Sequence, residues 1–388
     1  RSSNVTGVQT CALPICHTAP GGLPNAGGRK LETPFGTIYT TNLTPDPDTG
    51  LGRWSYAAFE RAMREGISHD GRHLYPAFPY PSFTKISGDD MLALYAFLMS
   101  QPATRNEVPA TSLAFPYGFR PGMAMWNALH LDPGPLAADP ARSAEWNRGR
   151  YLVEGAGHCG ACHTPRNAIG AEKGGAAYLA GAVIDGWEAP ALTAMSLAPV
   201  PWTVDEFERY LRDGHTLHHG SVAGPMAPVV RELGTLPAAD LRAMAVYLAS
   251  LGAPVTDEEA AATARAAVDA SVAIAATIRG PAQRLFEGAC GACHHDGAGP
   301  VLLGRNLPLA LHTSLSSERP DNLIRAVLDG IAHPATRDLG FMPAFRHALN
   351  ARQIAELAAY MRERFAPSKP AWNGLEAEVA RIRTLTPE

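Results

Sequence analysis

The pentapeptide Cys-x-x-Cys-His occurs twice in this chain of 388 residues, and it constrains the fold more than any other feature. The two copies begin at Cys159 and Cys290 and end at His163 and His294. This spacing is typical of c-type haem attachment, in which both thiols add to the vinyl groups of the haem. Because the histidine that follows becomes an axial ligand of the iron, the chain must enclose a flat ring beside each motif.

A damaged third copy lies near the N-terminus. Cys16 is followed by His17, but Leu13 stands where the first cysteine of the motif would be. Residues 1–15 resemble a translated sequencing adapter, so we expect that they have replaced the native residues and an export leader. A variant site that uses Cys11 with Cys16 is the alternative, although two residues usually separate the thiols. The sequence therefore predicts three haem c groups, two of them from intact motifs.

A Cys-x-x-Cys pair also occurs in thiol redox proteins, in zinc sites and in disulfides. A redox pair has no need of the following histidine, and a zinc site needs a second cysteine pair close by, which neither motif has. Recurrence of the whole pentapeptide therefore favours haem. The residues expected to bind haem covalently or to ligate its iron are Cys16, His17, Cys159, Cys162, His163, Cys290, Cys293 and His294.

Methionine on a loop after each motif is the expected sixth ligand, because a His–Met pair raises the potential of haem iron. Met226 in Gly-Pro-Met-Ala-Pro and Met342 in Gly-Phe-Met-Pro occupy such positions. The corresponding loop after the first motif contains Phe78, which cannot ligate iron. His69 and His73 lie on that loop and either could substitute, or the iron could have five ligands, so this sixth ligand stays unassigned.

Other candidate ligands are assigned to the core or to solvent. Met63, Met91 and Met99 fall within predicted helices and are expected in the hydrophobic core. The three histidines within residues 215–219 suggest a metal site, but no carboxylate or cysteine completes it at a usable spacing. We therefore expect this histidine run to be a solvated loop.

The recurring motif predicts an all-α protein of three tandem class I cytochrome c domains with long irregular loops. The second cysteines fall at positions 16, 162 and 293, so one cytochrome-sized stretch follows each motif. The 37 glycines and 33 prolines fit short helices joined by long loops. The expected boundaries are 16–102 for domain 1, 103–141 for a connector, 142–253 for domain 2, 254–280 for a helical linker, 281–367 for domain 3 and 368–388 for a C-terminal tail.

Amphipathic patterns and capping residues predict the helices. They cover residues 55–66, 89–100, 143–154, 204–213, 238–251, 254–278, 282–288, 322–328, 351–365 and 375–382. Domains 2 and 3 each show a helix that opens the domain before the motif and another that closes it after the loops. No alternating pattern of useful length predicts a strand.

The bulk composition excludes several classes of function. A net charge of −4 argues against non-specific binding to nucleic acid. No apolar run is long enough to span a bilayer. The sequence offers no catalytic triad, no glycine-rich nucleotide loop and no carboxylate pair, so we do not expect it to be an enzyme on its own.

The chain resembles the three-haem cytochrome c subunits of bacterial periplasmic dehydrogenases. The segments that carry the resemblance are residues 33–53 (TPFGTIYTTNLTPDPDTGLGR), 70–81 (DGRHLYPAFPYP), 150–166 (RYLVEGAGHCGACHTPR) and 321–330 (DNLIRAVLDG). That group includes the subunits of quinoprotein alcohol dehydrogenases, of flavin-dependent sugar-acid dehydrogenases and of molybdenum hydroxylases. Residues 308–322 and 369–383, together with Phe78, look most similar to the molybdenum-hydroxylase branch, which includes isoquinoline- and nicotinate-oxidising enzymes.

The resemblance implies an electron-transfer subunit. It would relay electrons from a separate catalytic dehydrogenase subunit to a quinone, an oxidase or another cytochrome. It also implies a location in the periplasm, attached to the inner membrane, and a match to the family ligands at Cys159, Cys162, His163, Met226, Cys290, Cys293, His294 and Met342.

A haem enzyme of the peroxidase type, or a sensor of small ligands, is the alternative from another class. It would act at an open iron face in domain 1, where Phe78 replaces the expected methionine. Binding of carbon monoxide to the reduced protein would favour that alternative.

Overall fold

A computed structural model describes residues 16–296, 299, 301 and 304–385 of the chain. The expectations for residues 1–15, which include Cys11 and Leu13, lie outside the described residues. The chain separates into two compact units. The first comprises residues up to Tyr178 together with Thr235–Tyr247, and the second comprises Leu179–Gly234 and Leu248–Glu388. The finer division into three cytochrome domains stays a prediction.

The first unit is mainly helical and carries one small antiparallel sheet, in which β2 lies between β1 and β3. Its strands are β1 (Lys30–Thr33), β2 (Gly36–Tyr39) and β3 (Ser112–Leu113). Its helices are α1 (Tyr56–Glu65), α2 (Tyr80–Phe83), α3 (Gly88–Met99), α4 (Gly122–His130), α5 (Ala144–Tyr151), a π-helical turn (Leu152–Ala156), α6 (Gly160–His163) and a 3₁₀ turn (Gly175–Ala177).

The second unit contains two short hairpins and a larger set of helices. Its strands are β4 (Ala182–Ile184), β5 (Trp187–Ala189), β6 (His215–Thr216) and β7 (Gly220–Ser221). The helices from here onward are α7 (Val204–Asp213), α8 (Met226–Leu233), α9 (Ala238–Ala249, of which the part up to Tyr247 belongs to the first unit), α10 (Asp257–Ala275), α11 (Pro281–Ala289), α12 (Thr313–Ser316), α13 (Asp321–Asp329), α14 (Ala351–Phe365) and α15 (Leu375–Arg383), with 3₁₀ turns at Leu309–Leu311 and Arg337–Leu339.

Two helices of the same pattern illustrate why the chain folds this way locally. The Ser55 hydroxyl accepts the Ala58 N–H at 3.2 Å and begins α1, and the Thr203 hydroxyl accepts the Glu206 N–H at 3.3 Å and begins α7. Such side-chain caps satisfy an amide that the helix leaves unpaired. Each helix ends at a left-handed glycine, which closes the last turn.

The predicted helices are confirmed, with ends that differ by a few residues. Residues 204–213 and 351–365 are helical with the predicted bounds, and the linker helix is shorter than the predicted 254–278. Among the described residues, five helices were not predicted: α4 in the connector, α8 at Met226, and the four-residue helices α2, α6 and α12. Short strands of two to four residues also occur, although no strand pattern of useful length is visible in the sequence.

The methionines assigned to the core lie there. Met63 and Met91 are buried among leucines and phenylalanines of the first unit, and Met99 packs against the same cluster. In the second unit, Phe286 on α11 contacts Tyr360 and Phe365 on α14, with ring centroids 5.5 and 5.6 Å apart. The opening and closing helices predicted for domain 3 therefore pack on each other.

The opening and closing helices predicted for domain 2 also cross, at Gly149 in the first unit. A side-chain carbon added to Gly149 would overlap the carbonyl oxygen of Ala243 on α9. The neighbouring Arg148 guanidinium donates to both carboxylate oxygens of Asp240 on α9, each at 2.8 Å. The crossing therefore depends on a residue without a side chain, and an ion pair fixes its register.

Within the part of the chain that the structure describes, no helix has the length and apolar character needed to cross a membrane.

Candidate functional site

The first candidate site centres on His17, the residue after Cys16. Its Nδ1 donates to the carbonyl oxygen of Thr41 at 2.7 Å, and its own carbonyl accepts the Gly27 N–H at 2.7 Å. Burial lowers the pKa of His17, although the bond to Thr41 acts in the opposite direction. Metal-ligating histidines usually donate their other ring N–H to such an acceptor, which fixes the tautomer. His17 would therefore be able to bind iron through Nε2.

The second motif occupies the start of one helical turn. The amides of Cys162 and His163 both donate to the Cys159 carbonyl, at 3.3 and 2.9 Å, so the motif is wound into α6. Burial raises the pKa of Cys159 to about 12, so this thiol stays protonated at neutral pH. A reactive redox pair needs a thiolate, which this raised pKa disfavours. His163 is buried in the first unit.

The third motif repeats that backbone pattern. The amides of Cys293 and His294 donate to the Cys290 carbonyl, at 3.1 and 2.9 Å. Burial raises the pKa of Cys290 to about 11 and lowers that of His294. Nδ1 of His294 is buried and has no hydrogen-bond partner in the structure. A buried, neutral imidazole beside two thiols fits a haem c attachment site.

Two loops place a residue at the position expected for the sixth ligand. We call residues 66–79 loop 1 and residues 214–228 loop 2. The Leu74 N–H donates to the Gly66 carbonyl at 2.7 Å, and the Val222 N–H donates to the Gly214 carbonyl at 2.8 Å. Phe78 follows Leu74 by four residues, just as Met226 follows Val222. The backbone register therefore places Phe78 at the position that Met226 has in loop 2.

The Phe78 side chain packs against neighbouring aromatic rings of the first unit. Its ring centroid lies 5.5 Å from that of Phe83 and 6.2 Å from that of Tyr80. The side chain contacts the same hydrophobic cluster as Leu94 and Met63. Loop 1 therefore offers an aromatic ring where a thioether is expected.

Met226 was expected on a loop, but it is the first residue of helix α8. That expectation is therefore wrong. Pro225 precedes the helix and fixes its entry, while Met226 packs against the cluster that includes Val222 and Val230. The motif Cys159–His163 belongs to the first unit and Met226 to the second. That Met226 completes the ligand set of His163 stays a prediction.

Residues 330–343, which we call loop 3, hold Met342 in an extended pair with Ile331. The two residues exchange backbone hydrogen bonds of 3.1 and 2.9 Å. Met342 and Cys290 both pack against one hydrophobic cluster of the second unit. The structure therefore brings the predicted methionine and the third motif to the same core.

The two histidines of loop 1 differ in their surroundings. His69 is exposed, and its ring lies 4.8 Å from that of Trp54. Nδ1 of His73 is buried without a hydrogen-bond partner, whereas the His73 carbonyl accepts the Arg120 guanidinium at 2.6 Å. Neither observation assigns the sixth ligand of the first iron.

The expectation of a solvated loop at residues 215–219 is wrong. His219 is 2 % exposed and stacks on Trp202 with a centroid distance of 3.5 Å, and His215 is also buried. Burial lowers the pKa of His219 to about 3. Among the described residues, no group of three or more His, Cys, Asp or Glu side chains could hold a metal ion. This burial depends on Trp202, which is distant in sequence, so the histidine pattern alone could not reveal it.

Sequence reasoning also missed Thr41 as the partner of His17. The partner atom is a backbone carbonyl, which every residue carries, so no residue type in the sequence marks it.

A family model described as "Cytochrome C oxidase, cbb3-type, subunit III" matches residues 280–361. This segment contains the third motif and Met342.

Three relatives match most of the chain. A subunit of the nicotinate dehydrogenase of Pseudomonas putida is 56% identical over 384 residues, which are 99% of this chain and 32% of that protein. The cytochrome c subunit of the quinone alcohol dehydrogenase of Gluconacetobacter polyoxogenes is 35% identical over 95% of this chain and 81% of its own length. The gluconate 2-dehydrogenase cytochrome c subunit of Pantoea cypripedii is 37% identical over 89% and 81%. The chain therefore spans about a third of the first protein and about four fifths of the other two.

Proposed function

Because this chain belongs to the family of cytochrome c electron-transfer subunits of dehydrogenases, we propose that it carries electrons from a catalytic dehydrogenase polypeptide towards a respiratory acceptor. The resemblance found in the sequence is confirmed at the level of the family. The 56% identity to a nicotinate dehydrogenase subunit supports the molybdenum-hydroxylase branch, so a heteroaromatic acid is the proposed class of substrate for the partner.

The state of the motif histidines is the observation that carries the proposal. His17 and His294 lie inside the fold with a pKa lowered by burial, so the imidazole is neutral and its Nε2 can ligate iron. His163 is buried as well. Three histidines within the fold, each directly after a cysteine, suit a chain that carries several haems in series.

Haem c supplies reversible one-electron exchange at its iron when it is bound. Cys159 and Cys162 would hold one ring and Cys290 and Cys293 another, while Cys16 offers the first ring a single thioether. We assign Met226 and Met342 as sixth ligands of the second and third irons. A thioether ligand raises the potential, because it stabilises the ferrous state better than a second imidazole does.

We further propose that the chain works in the periplasm, as c-type haem attachment follows export, and that it associates with the inner membrane. A quinone, an oxidase or another cytochrome would accept its electrons. The chain itself has no catalytic role in this proposal, and the dehydrogenase partner oxidises the organic substrate. The alternative of a peroxidase-like enzyme or ligand sensor has no support among the relatives.

Covalent haem per chain tests the proposal. The chain would be expressed with an export leader and the haem-attachment machinery, and haem would be quantified by its alkaline pyridine spectrum. We expect at least the two haems of the intact motifs in the chain with Leu13, a third if Cys16 alone retains the first ring, and three in the Leu13→Cys variant. Absence of covalent haem from both would exclude a cytochrome.

The axial assignment has a matched control in the second unit. Met342→Leu should abolish the near-infrared band of methionine-ligated ferric haem at the third site. Met361→Leu changes a buried methionine of the same hydrophobic cluster and should leave that band intact. Equal spectra for the two variants would refute Met342 as a ligand.

A further inference from the structure

Five large apolar side chains in the connector of the first unit are exposed to solvent. The exposed fractions are 94% for Phe115, 41% for Tyr117, 64% for Phe119, 70% for Met125 and 66% for Leu129. We call these five residues the connector patch. Single exposed apolar residues are ordinary, but such a concentration within 15 residues marks an interaction surface.

The connector patch is held rigidly by the other side of α4. Trp126 on that side is buried against Tyr80 and Ala171, and its indole N–H donates to the Ile169 carbonyl at 3.0 Å. Met125 and Leu129 are four residues apart, so they lie on one face of the helix. The helix is therefore anchored by its buried face and presents an apolar face outward.

The size of the patch suits a protein interface. Its exposed side-chain surface is about 670 Å², since a large apolar side chain buries ~200 Å² when it is fully covered. A stable interface buries about 800 Å² on each partner. The patch could therefore provide most of one partner's contact area.

Hydrogen bonds join the connector to loop 1. The Arg120 guanidinium donates to the His73 carbonyl at 2.6 Å, and the Tyr75 hydroxyl donates to the Gly118 carbonyl at 3.4 Å. Directly after loop 1, the Tyr80 hydroxyl on α2 donates to the Asn127 side-chain carbonyl at 2.6 Å. A partner on the connector patch would thus lie beside the loop that carries the axial position of the first site.

The low charge of residues 108–131 favours a protein over a lipid surface as the binding partner of the connector patch. Arg120 is the only lysine, arginine, aspartate or glutamate between residues 108 and 131, and its guanidinium lies 4.6 Å from the centre of the Tyr75 ring. Segments that bind anionic membranes combine an apolar face with several lysines or arginines. An uncharged apolar patch fits an uncharged apolar face of a protein.

The Pseudomonas putida relative indicates which protein would bind to the connector patch. This chain matches 32% of that dehydrogenase subunit, so the cytochrome region is joined there to a much longer remainder of the same polypeptide. We propose that the connector patch is the docking surface for the catalytic dehydrogenase polypeptide. This inference rests on the proposed function and adds the place of contact to it.

A chimera provides a defined partner for the test. This chain, with Leu13→Cys, would replace the matched region of the nicotinate dehydrogenase polypeptide of Pseudomonas putida. Oxidation of methionines by chloramine-T would be followed by mass spectrometry in the chimera and in the isolated chain. We expect about tenfold slower oxidation of Met125 in the chimera and no change at Met195, which is 60% exposed in the second unit.

Equal oxidation of Met125 in both proteins would overturn the inference. Protection of Met125 in the isolated chain by phosphatidylethanolamine–phosphatidylglycerol vesicles, without protection in the chimera, would also overturn it and assign the patch to lipid. Reduction of the haems by nicotinate in the chimera is measured separately. If the haems are reduced while Met125 stays unprotected, the docking surface is refuted and the proposed electron transfer is retained. If no haem is reduced, the proposed electron transfer is itself refuted.

Paired variants provide a second measurement. Phe119→Ser with Leu129→Ser should slow nicotinate-dependent haem reduction about tenfold, because both side chains would leave the interface core. Val183→Ser with Met195→Ser removes two exposed apolar side chains of the second unit and should change the rate less than about twofold. Haem content and thermal unfolding confirm that both proteins are folded. Equal rates in the two variants would contradict the docking surface.

Discussion

Loop 1 and loop 2 share a backbone frame and differ in the residue that the frame presents. In each, a tryptophan precedes the helix cap, a left-handed glycine ends the helix, and an amide eight residues later bonds back to that glycine. Each tryptophan also lies against a histidine of its loop, Trp54 against His69 and Trp202 against His219. The frame then presents Phe78 in one loop and Met226 in the other. The same loop geometry therefore occurs both with a residue that could ligate iron and with one that cannot.

Met226→Phe gives loop 2 the residue of loop 1, and we expect the largest effect from it. Loss of the thioether should lower the potential of the second haem by the order of 100 mV, within the ~0.8 V range that axial ligands cover. The near-infrared band of methionine ligation at this site should disappear. Spectroscopically monitored redox titration measures both.

Met195→Phe is the control for that variant, since Met195 is an exposed methionine of the same unit. It should leave all potentials unchanged. An unchanged second haem in Met226→Phe would remove the axial role from loop 2.

Phe78→Met is the reciprocal change, made in the Leu13→Cys background. A thioether at this position should bind the first iron and add one methionine-ligated haem to the spectrum. The gain in potential should be smaller than the loss at loop 2, because the variant also gives up the packing of Phe78 on Phe83 and Tyr80.

Phe59→Met serves as the control, since Phe59 is buried in the same cluster and is not on loop 1. Appearance of the new band in both variants, or in neither, would break the correspondence between Phe78 and Met226.

Gly27→Ala tests the backbone that supports His17. A side-chain carbon at Gly27 would lie 2.6 Å from the carbonyl carbon of Thr41, and the residue has a positive φ of 77°. We expect a loss of about 3 kcal/mol in the free energy of unfolding, from strain and from displacement of Thr41. Urea denaturation of the first unit measures it.

Gly71→Ala isolates the contribution of backbone strain, since Gly71 also has a positive φ, 81°, with no atom within 4 Å of the added carbon. It should cost only about 1 kcal/mol. Equal losses at the two glycines would mean that contact with Thr41 has no energetic role.

Glu154→Gln should have the smallest effect. Burial alone would raise the pKa of Glu154, but the Tyr247 hydroxyl at 2.6 Å and the cations of Lys85 and Arg150 hold it below 4.5. A carboxyl with a lowered folded-state pKa stabilises the fold above its unfolded value and loses that contribution as the pH falls below 4.5.

The variant should therefore be about 1 kcal/mol less stable at pH 7 and should lose less stability than the parent between pH 5 and pH 3. Urea unfolding at a series of pH values measures this. Glu154 lies outside loops 1 and 2, which carry the proposed sixth-ligand positions. The spectra of the first and second haems should therefore not change. Parallel pH profiles for parent and variant would contradict the assignment.

The helices could be predicted because their signals are local. Ser55 and Gly66 mark both ends of α1, and Thr203 and Gly214 mark both ends of α7. Helix α4 was missed because Pro121 precedes it without a side-chain cap, within a segment rich in proline and glycine. Helix α8 was missed because Pro225 and Pro228 suggest a loop, although proline is tolerated in a first helical turn.

Candidate attachment residues could be named from the sequence, since they form a contiguous motif. The surroundings of the ligands depend on contacts between distant residues. Burial of His219 requires Trp202, and the tautomer of His17 requires a carbonyl 24 residues away. No periodicity or spacing reports such contacts, so both were missed.

The crossing at Gly149 has a consequence for how sequence variation at this position should be read. Where two helix backbones touch, the smallest possible side chain is already too large, so tolerance is all-or-none rather than graded by size. In a saturation mutagenesis library, position 149 should be as intolerant as the motif cysteines, although glycine has no redox chemistry. Depletion of variants at position 149 would reflect the lack of space between two helices. A search for redox residues that relied on mutational sensitivity alone would therefore wrongly include Gly149.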